Sequence, residues 1–459
     1  MRVFETLFFV PLVSLLLVPF LPYTWQRLLA TASALGTILV AGIHLLVEGW
    51  RIQMVPVYVL ALLILAYRWT MLFGHARMLS RRREILISSL MALCLTLSGV
   101  LAGWLLPVVK LPEPSGPYLV GIIDRELIDT TRERRLMVSI WYPTDRYGEI
   151  APLTYHPDEV AAGLGKLAGL PGLPFQHLRY FKLAASENIP VLEEGSPFPV
   201  LVFSHGLVGL RLQNSSTLQD LASWGYVVVA IDHTDAAAVT VFPDGEARFY
   251  NLEAFGIPPN VEPDKTIIDE RMFPVWVADQ RFVYDVLEMW AVNDPMFGGR
   301  LDVTRIGSFG HSFGGATALE VCRVDARCRA AVNLDGGLYG AIVNQPAVYP
   351  LLLMSSAESS QFAETVEQWT RMIENASAEA YWLELPGSTH FSFTITQLLS
   401  PILAPEGFDP RAGLGILDRY LRAFFDVHLR GMETRPLQAA SEESEVRWLT
   451  EARLPLPTK

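Results

Sequence analysis

Basic charge is what most of this 459-residue chain lacks. Residues 1–112 carry nine Lys and Arg against three Asp and Glu, a net of +6, while the remainder carries a net of −18. A nucleic-acid partner needs a basic face, so the acidic part excludes that class of function. Cysteine is nearly absent, with only Cys94, Cys322 and Cys328 present. Metal ligands do not gather either. The nearest approach is Asp232-His-Thr-Asp235, three polar side chains on one loop without a distant fourth ligand, so no metal is expected. No internal repeat is visible.

What is abundant is apolar residues, 51% of the chain, and they crowd into its first quarter. Leu28–Val47, Met54–Phe73 and Ile85–Val109 run for 20, 20 and 25 residues. Each is long enough for a hydrocarbon core, which takes about 20 helical residues. Leu7–Leu21 is shorter, 15 residues with Pro11 and Pro19, and reads as a short span, an interfacial segment or a signal core. No small-residue cleavage site follows it, so a removable signal is not expected. Residues 1–110 are therefore expected to form a transmembrane region of about four helices. Arg77, Arg81, Arg82 and Arg83 put the loop between the last two spans in the cytoplasm, with Arg27 on the same side. Arg2, Arg51 and Lys110 then lie outside, and the rest of the chain is expected to be extracytoplasmic. Arg68 and His44, within or near spans, are expected to snorkel or to pack near an interface.

Lys110–Pro117, KLPEPSGP, reads as a linker leading into a second unit over residues 111–459. Arg135–Tyr142, Pro199–Phe203, Tyr226–Ile231, Leu351–Met354 and Ala380–Leu385 read as strands, most of them continuously apolar, as buried parallel strands are. Helices are expected over Thr217–Trp224, Pro274–Val292 and Arg411–Leu429, the second with its proline in the tolerated first turn. Alternating strands and helices predict an α/β fold with a doubly wound, mostly parallel sheet. Residues 151–195 show little periodicity and read as an insertion near the site mouth, or as ordinary surface loop.

The chain is organised around Arg305–Gly315, RIGSFGHSFGG. A strand, the G-x-S-x-G turn Gly310–Gly314 and a helix follow one another, which is the context in which this motif exposes a serine nucleophile. Gly310 and Gly314 remove side chains that would collide at so sharp a turn, and Gly315 lets the helix pack close. Ser312 needs a base held by an acid, and in this arrangement both follow it in the chain, at the ends of later strands. His390 and His428 are the histidines after Ser312. His390 directly follows a strand, whereas His428 sits in the closing helix as a surface or last-turn residue. His311 is locked beside the nucleophile. Two acids compete: Asp335, in Asn333-Leu-Asp-Gly-Gly337, and Glu358, in Met354-Ser-Ser-Ala-Glu358. Position at a strand's end suits both. The oxyanion hole needs two backbone N–H groups, one from Phe313 and one from an early loop, where Leu207 of His205-Gly-Leu207 is the candidate. His205 and His233 are expected to hold loops around the site.

Together these pieces resemble the platelet-activating factor acetylhydrolase family of α/β-hydrolases, of the plasma type, with a bacterial-like, membrane-anchored build. The resemblance rests on Pro112–Tyr118, Ile140–Pro143, Phe203–Leu207, Asp220–Tyr226 with Asp232–Asp235, the elbow, Asn333–Asp335 and Gly387–His390, in the family's order across roughly residues 112–430. It implies Ser312 as nucleophile, Asp335 as acid, His390 as base, the Leu207 and Phe313 N–H groups as oxyanion hole, and no metal or other cofactor. It also implies hydrolysis of esters, commonly the short or oxidised acyl chains of phospholipids. Placed outside the cytoplasm, Cys322 and Cys328 would be able to pair as a disulfide.

The expectation is a serine carboxylic-ester hydrolase integral to a plasma membrane, acting on a small-molecule or lipid ester. Transfer of the acyl group to another acceptor, and non-catalytic binding or sensing on the same fold, are the alternatives. Acyl length, the alcohol and the oligomeric state are not set by the sequence.

Overall fold

The computed structural model describes residues 1–73, 80–258, 261–434, 437 and 445–449. Arg77 lies outside the described residues. Four helices long and apolar enough to cross a membrane come first, over Val3–Phe20, Tyr23–Val47, Ile52–Thr70 and Arg81–Leu105. The helices of these stretches are α1 (Val3–Leu17), α2 (Tyr23–Val47), α3 (Val55–Phe73, which runs on past Thr70) and α4 (Arg81–Val100). The short first run is thus a full-length helical stretch, Pro11 included.

Polar side chains in this region are turned inward. Arg68 is buried and donates from Nε to the Leu15 carbonyl and from Nη2 to Ser88 Oγ, instead of snorkelling. His44, also buried, bridges Glu48 and Tyr58. At the same end Arg51 pairs with buried Glu5 and donates to the carbonyls of Ala102 and Leu106, tying three helices together. Buried polar groups persist in such a setting only when partnered, and these are.

The rest of the chain forms an eleven-stranded sheet in the order β13-β12-β11-β10-β9-β5-β6-β2-β1-β4-β3. In chain order these are β1 (Leu119–Asp129), β2 (Arg134–Thr144), β3 (Ile150–Pro152), β4 (Lys182–Glu187), β5 (Phe198–Ser204) and β6 (Val227–Asp232). A small hairpin of β7 (Val239–Val241) and β8 (Ala247–Phe249) stands apart. Then come β9 (Leu301–His311), β10 (Cys328–Leu334), β11 (Leu351–Ser356), β12 (Ala380–Leu385) and β13 (Arg447–Trp448). From β6 to β12 every neighbouring pair is parallel. The β5, β6 and β11 residues are all buried, because both faces of the sheet are covered.

The covering helices are α5 (Pro157–Ala168), α6 (Ser215–Ser223), the single turn α7 (Lys265–Ile267), α8 (Phe273–Asn293), α9 (Phe313–Val324), α10 (Ala363–Asn375) and α11 (Pro410–Arg430). Residues 151–195, read from sequence as insertion or loop, are regular: β3, α5, a 3₁₀ stretch at Leu173–Tyr180, and β4, which extend the sheet edge. Glycines hid the helix. Gly163 and Gly165 lie on its buried face, where a Cβ would come 3.0 Å from the Ala238 carbonyl oxygen and 2.8 Å from Gly172 N. A face built from glycine carries no apolar periodicity to read.

Candidate active site

Ser312 sits between β9 and α9 with φ 55° and ψ −123°, a left-handed conformation that a serine adopts only where its surroundings enforce it. Its N–H donates to the Leu334 carbonyl (2.8 Å), hanging the turn on β10. Gly310 and Gly314 face each other and the Ser204 carbonyl so closely that a Cβ on either would overlap backbone, and a Cβ on Gly315 would strike the Asn333 amide. The close packing read from the motif is therefore present around all three glycines.

Across from the turn lies His205-Gly206-Leu207, after β5. A Cβ on Gly206 would come 3.2 Å from Ser312 Cβ, which measures how tightly this loop covers the serine. The Leu207 N–H and the Phe313 N–H are both unspent on protein acceptors among the described residues. The first is aimed by its neighbours. The Gly206 carbonyl and the Leu207 N–H share one peptide plane and point in opposite directions. That carbonyl accepts from the Gly209 N–H (2.8 Å) and from His205 Nδ1 (2.6 Å). His205 Nε2 accepts the His233 N–H (3.2 Å), so the ring proton is on Nδ1. Complete burial pushes His205 down to about 3, which keeps the ring neutral.

His390 lies in the loop after β12, at the start of the 3₁₀ turn His390–Phe393. Its Nδ1 donates to Asp335 Oδ2 (2.7 Å). Asp335 is buried at the end of β10, and further donors converge on it: the Ser356 N–H (2.6 Å) and Oγ (2.9 Å) and Ser359 Oγ (2.8 Å). Glu358, the rival acid, meets His390 at the backbone, its Oε2 accepting the His390 N–H at 2.9 Å. The ring's partner is therefore Asp335, and Glu358 fixes the start of the loop. The serines of Ser355-Ser-Ala-Glu-Ser-Ser360 were not singled out from sequence, although a hydroxyl-rich run after a buried strand is a signal of polar groups gathering there.

His311 is a second link that sequence reasoning passed over. Its Nε2 donates to the His390 carbonyl (2.8 Å), its Nδ1 accepts from Gln213 Nε2 (2.9 Å), and its ring centroid lies 4.5 Å from that of His390. Burial holds His311 well below the ordinary histidine range, with the neighbouring His390 adding to the effect. A neutral, tautomer-locked imidazole thus ties the elbow to the His390 loop. Phe313 adds an apolar wall, with Trp276, Tyr339 and Phe273 packed around its ring at centroid distances of 4.8, 4.9 and 5.5 Å.

The Asp232–Asp235 loop is occupied by protein. Asp232 pairs with Arg211, His233 bridges Asp279 and Ser204 Oγ, and Asp235 pairs with Arg248. His428 lies in the last turn of α11, one of the two places expected for it, packed against Tyr381 and Phe424 and paired with Glu379. Cys322 and Cys328 are joined, with Cα atoms 4.8 Å apart, at the end of α9 and the start of β10. A cavity of about 450 Å³ between the linker at Pro112–Ser115 and α11 contains none of the residues of the Ser312 site.

The model of the family described as platelet-activating factor acetylhydrolase, isoform II, matches residues 105–251 and 288–431. The chain is 27% identical over 352 residues to the platelet-activating factor acetylhydrolase of Canis lupus familiaris, covering 70% of this chain and 77% of that one. It is 29% identical over 272 residues to a probable 1-alkyl-2-acetylglycerophosphocholine esterase of Arthroderma benhamiae, covering 55% and 65% respectively. The solved structure of a ferulic acid esterase from Streptomyces cinnamoneus superposes with a TM-score of 0.60 at 27% identity, covering 75% of this chain and 100% of that one. With its doubly wound sheet and elbow turn, and with more than half its length matched by the family model, the chain belongs to the platelet-activating factor acetylhydrolase, isoform II, family and is an α/β-hydrolase that cleaves carboxylic esters.

Proposed function

We propose that Ser312 is the nucleophile, His390 the general base, Asp335 its orienting acid, and the Leu207 and Phe313 N–H groups the oxyanion hole. Ser312 Oγ attacks the ester carbonyl while its proton passes to His390 Nε2, and the carbonyl electrons move onto oxygen between the two N–H groups. Each such donor is worth about 3–4 kcal/mol of transition-state stabilisation. Collapse expels the alcohol, which takes the proton from His390, and leaves an acyl-serine. Water then loses a proton to His390, attacks the acyl carbon, and releases the acid as Ser312 regains its proton.

The observation that carries this reading is the 2.7 Å hydrogen bond from His390 Nδ1 to a buried, four-fold hydrogen-bonded Asp335, on a loop tied to the elbow through His311. Such an Asp holds the imidazole in the tautomer that turns Nε2 toward the serine. The substrate we propose is a phospholipid bearing a short or oxidised acyl ester, as the names of the relatives suggest. The aromatic wall beside Phe313 comes largely from Leu252–Trp276, within the stretch that the family match skips, so acyl or alcohol preference is expected to differ from the relatives'. We further propose that the four apolar helices span a plasma membrane with the sheet on the extracytoplasmic side.

The test is hydrolysis of p-nitrophenyl esters of graded acyl length by the full chain in detergent, alongside Ser312→Ala. Wild-type turnover that vanishes in the variant, with fluorophosphonate labelling lost in parallel, is expected. Turnover that survives Ser312→Ala would sink the assignment.

A further inference from the structure

The two N–H groups assigned to the oxyanion hole come from different parts of the chain, Leu207 after β5 and Phe313 at the start of α9. No bond between neighbours in sequence fixes their separation. One side chain touches both arms. The Trp276 ring meets the His205 ring edge-on at a centroid distance of 5.0 Å and the Phe313 ring edge-on at 4.8 Å. His205 aims the Gly206–Leu207 peptide through its 2.6 Å bond to the Gly206 carbonyl, and Phe313 carries the second N–H on its own backbone. Trp276 is fully buried, and its Nε1–H has no acceptor among the described residues. Buried indole N–H groups usually find a partner, and an unpaired donor costs stability that a phenylalanine would not lose. What phenylalanine lacks is breadth. The two-ring indole reaches His205 and Phe313 at once.

The indole is itself held in place. Its face lies against the His233 imidazole, with centroids 3.8 Å apart and planes 15° from parallel. His233 Nδ1 donates to Asp279 Oδ2 at 3.1 Å, and the His233 N–H donates to His205 Nε2 at 3.2 Å. Trp276 and Asp279 are three residues apart on α8, so they project from one side of the helix and take the face and the edge of the same imidazole. Arg132 Nη1 and Arg134 Nε meet Asp279 Oδ1, each at 2.7 Å, and Arg134 Nη2 meets Oδ2 at 2.9 Å. Complete burial alone would raise the Asp279 carboxyl, but Arg134 beside it and the His233 hydrogen bond hold it well below the ordinary carboxylate range. An ionised carboxylate only accepts, which puts the His233 proton on Nδ1. Burial keeps that ring neutral, so Nε2 accepts from Ser204 Oγ at 3.0 Å. Bonded at both ring nitrogens and at its backbone, His233 cannot turn beneath the indole. His205 and His233 lie within the family match, whereas Trp276 and Asp279 lie between its two stretches.

We infer that Trp276 is a positioning residue for the oxyanion hole, setting the separation of the Leu207 and Phe313 N–H groups, and that the buried Asp279–His233 pair clamps it there. The inference rests on the hydrolase reading above and deepens it. Both donors must lie about 2.7–3.1 Å from one oxyanion position, so drift of either weakens the transition state while leaving the bound ester unchanged.

The test uses the full chain in detergent with p-nitrophenyl acetate, and counts competent sites by fluorophosphonate labelling run to completion. Trp276→Phe is expected to lower kcat per labelled site about 10- to 100-fold, less than the outright loss of an oxyanion donor, with KM within about twofold. Affinity for a trifluoromethyl ketone, which adds to Ser312 as a hemiketal with its oxyanion in the hole, should fall by the same factor as kcat/KM. His233→Phe keeps a flat ring on Trp276 but gives up the bond to Asp279. It should lower the same two quantities about three- to tenfold, and it stands as the test by itself if Trp276→Phe yields no labelled sites. The double variant should lose no more than Trp276→Phe alone, because His233 acts through the indole. Fully additive losses overturn the clamp. Losses confined to KM or to the number of labelled sites, or ketone affinity that stays constant while kcat falls, overturn the positioning role and leave the hydrolase intact. Absence of any Ser312-dependent turnover in the wild type would instead overturn the reading beneath it.

Discussion

Replacing Asp335 with Asn changes one proton-bearing atom and should nearly silence the enzyme. The direction of the new amide is dictated by the backbone. Asp335 Oδ1 accepts the Ser356 N–H at 2.6 Å, a donor that cannot rotate away, so the Asn carbonyl oxygen must occupy that position. The NH₂ group then falls where Oδ2 was, opposite His390 Nδ1. Two N–H donors cannot face each other at 2.7 Å, so the imidazole gives up its Nδ1 proton and carries it on Nε2 instead. The ring then presents a proton to Ser312 where a lone pair is required. A wrong-tautomer substitution of this kind typically lowers kcat about 10⁴-fold, or about 5.4 kcal/mol at 1.36 kcal/mol per decade. KM should change little, because Asp335 is buried and touches no substrate. Glu358→Gln is the control. Only one of its oxygens meets His390, at the backbone N–H, and a Gln carbonyl can accept the same bond. It should cost about 1 kcal/mol or less, the difference between a charged and a neutral acceptor. The assay is steady-state ester hydrolysis at pH 8, with the rate of fluorophosphonate labelling as a measure of Ser312 activation. Near-normal turnover in Asp335→Asn, with a 10⁴-fold loss in Glu358→Gln, would refute the reasoning and exchange the two roles.

His205→Phe should free the Gly206 carbonyl from one of its two donors and let the Leu207 N–H drift; kcat is expected to fall about 10- to 100-fold, less than the outright loss of an oxyanion donor, with KM nearly constant. His205→Asn, whose amide can donate from the Nδ1 position, should recover most of that loss, and equal damage in both variants would reduce His205 to a packing role. The same residue makes stability depend on pH. Its native value, about 3, lies below the ordinary 6.5, so the unfolded chain binds the extra proton and stability falls as pH drops from about 6.5 toward 3. The slope is at most about 1.4 kcal/mol per pH unit for one histidine. Asp418, whose carboxyl burial pushes up, works in the opposite sense. The quantity to read is therefore the wild-type minus His205→Asn difference in thermal midpoint, which should shrink toward pH 5; a difference that is flat between pH 5 and 8 would contradict the buried neutral ring. Gly314→Ala should abolish folded, probe-reactive protein, because its Cβ would overlap the Ser204 and His205 carbonyls; an active, stable Gly314→Ala enzyme would show that the elbow is looser than described.

Local chemistry made part of this protein readable without a structure. Apolar runs of helical length can only be covered by lipid or by one another, so the four N-terminal helices were visible as composition. The elbow was visible because Gly310, Gly314 and Gly315 are demanded by contacts within a few residues of Ser312 or by the strands that must flank it. The buried strands announced themselves through unbroken apolar stretches such as Pro199–Phe203. Other features were settled by neighbours distant in the chain. Asp335 and Glu358 both end strands and both approach His390, yet the order β10-β11-β12 sends Asp335 Oδ2 to the ring and Glu358 to the backbone. His311 reads as the variable position of a motif, and only the fold brings Gln213 and the His390 carbonyl to its two nitrogens. Helix α5 was hidden because its buried face is partly glycine, whose value lies in what it lets approach. Sequence by itself thus determined the apolar helices, the buried strands and the Gly310–Gly314 turn, since those follow from hydrophobic period and steric demand within one segment. The tertiary structure showed that Asp335 and not Glu358 meets the His390 ring, and how the Gly206–Leu207 peptide is aimed, because hydrogen bonds between segments depend on strand order and register, to which local periodicity is blind.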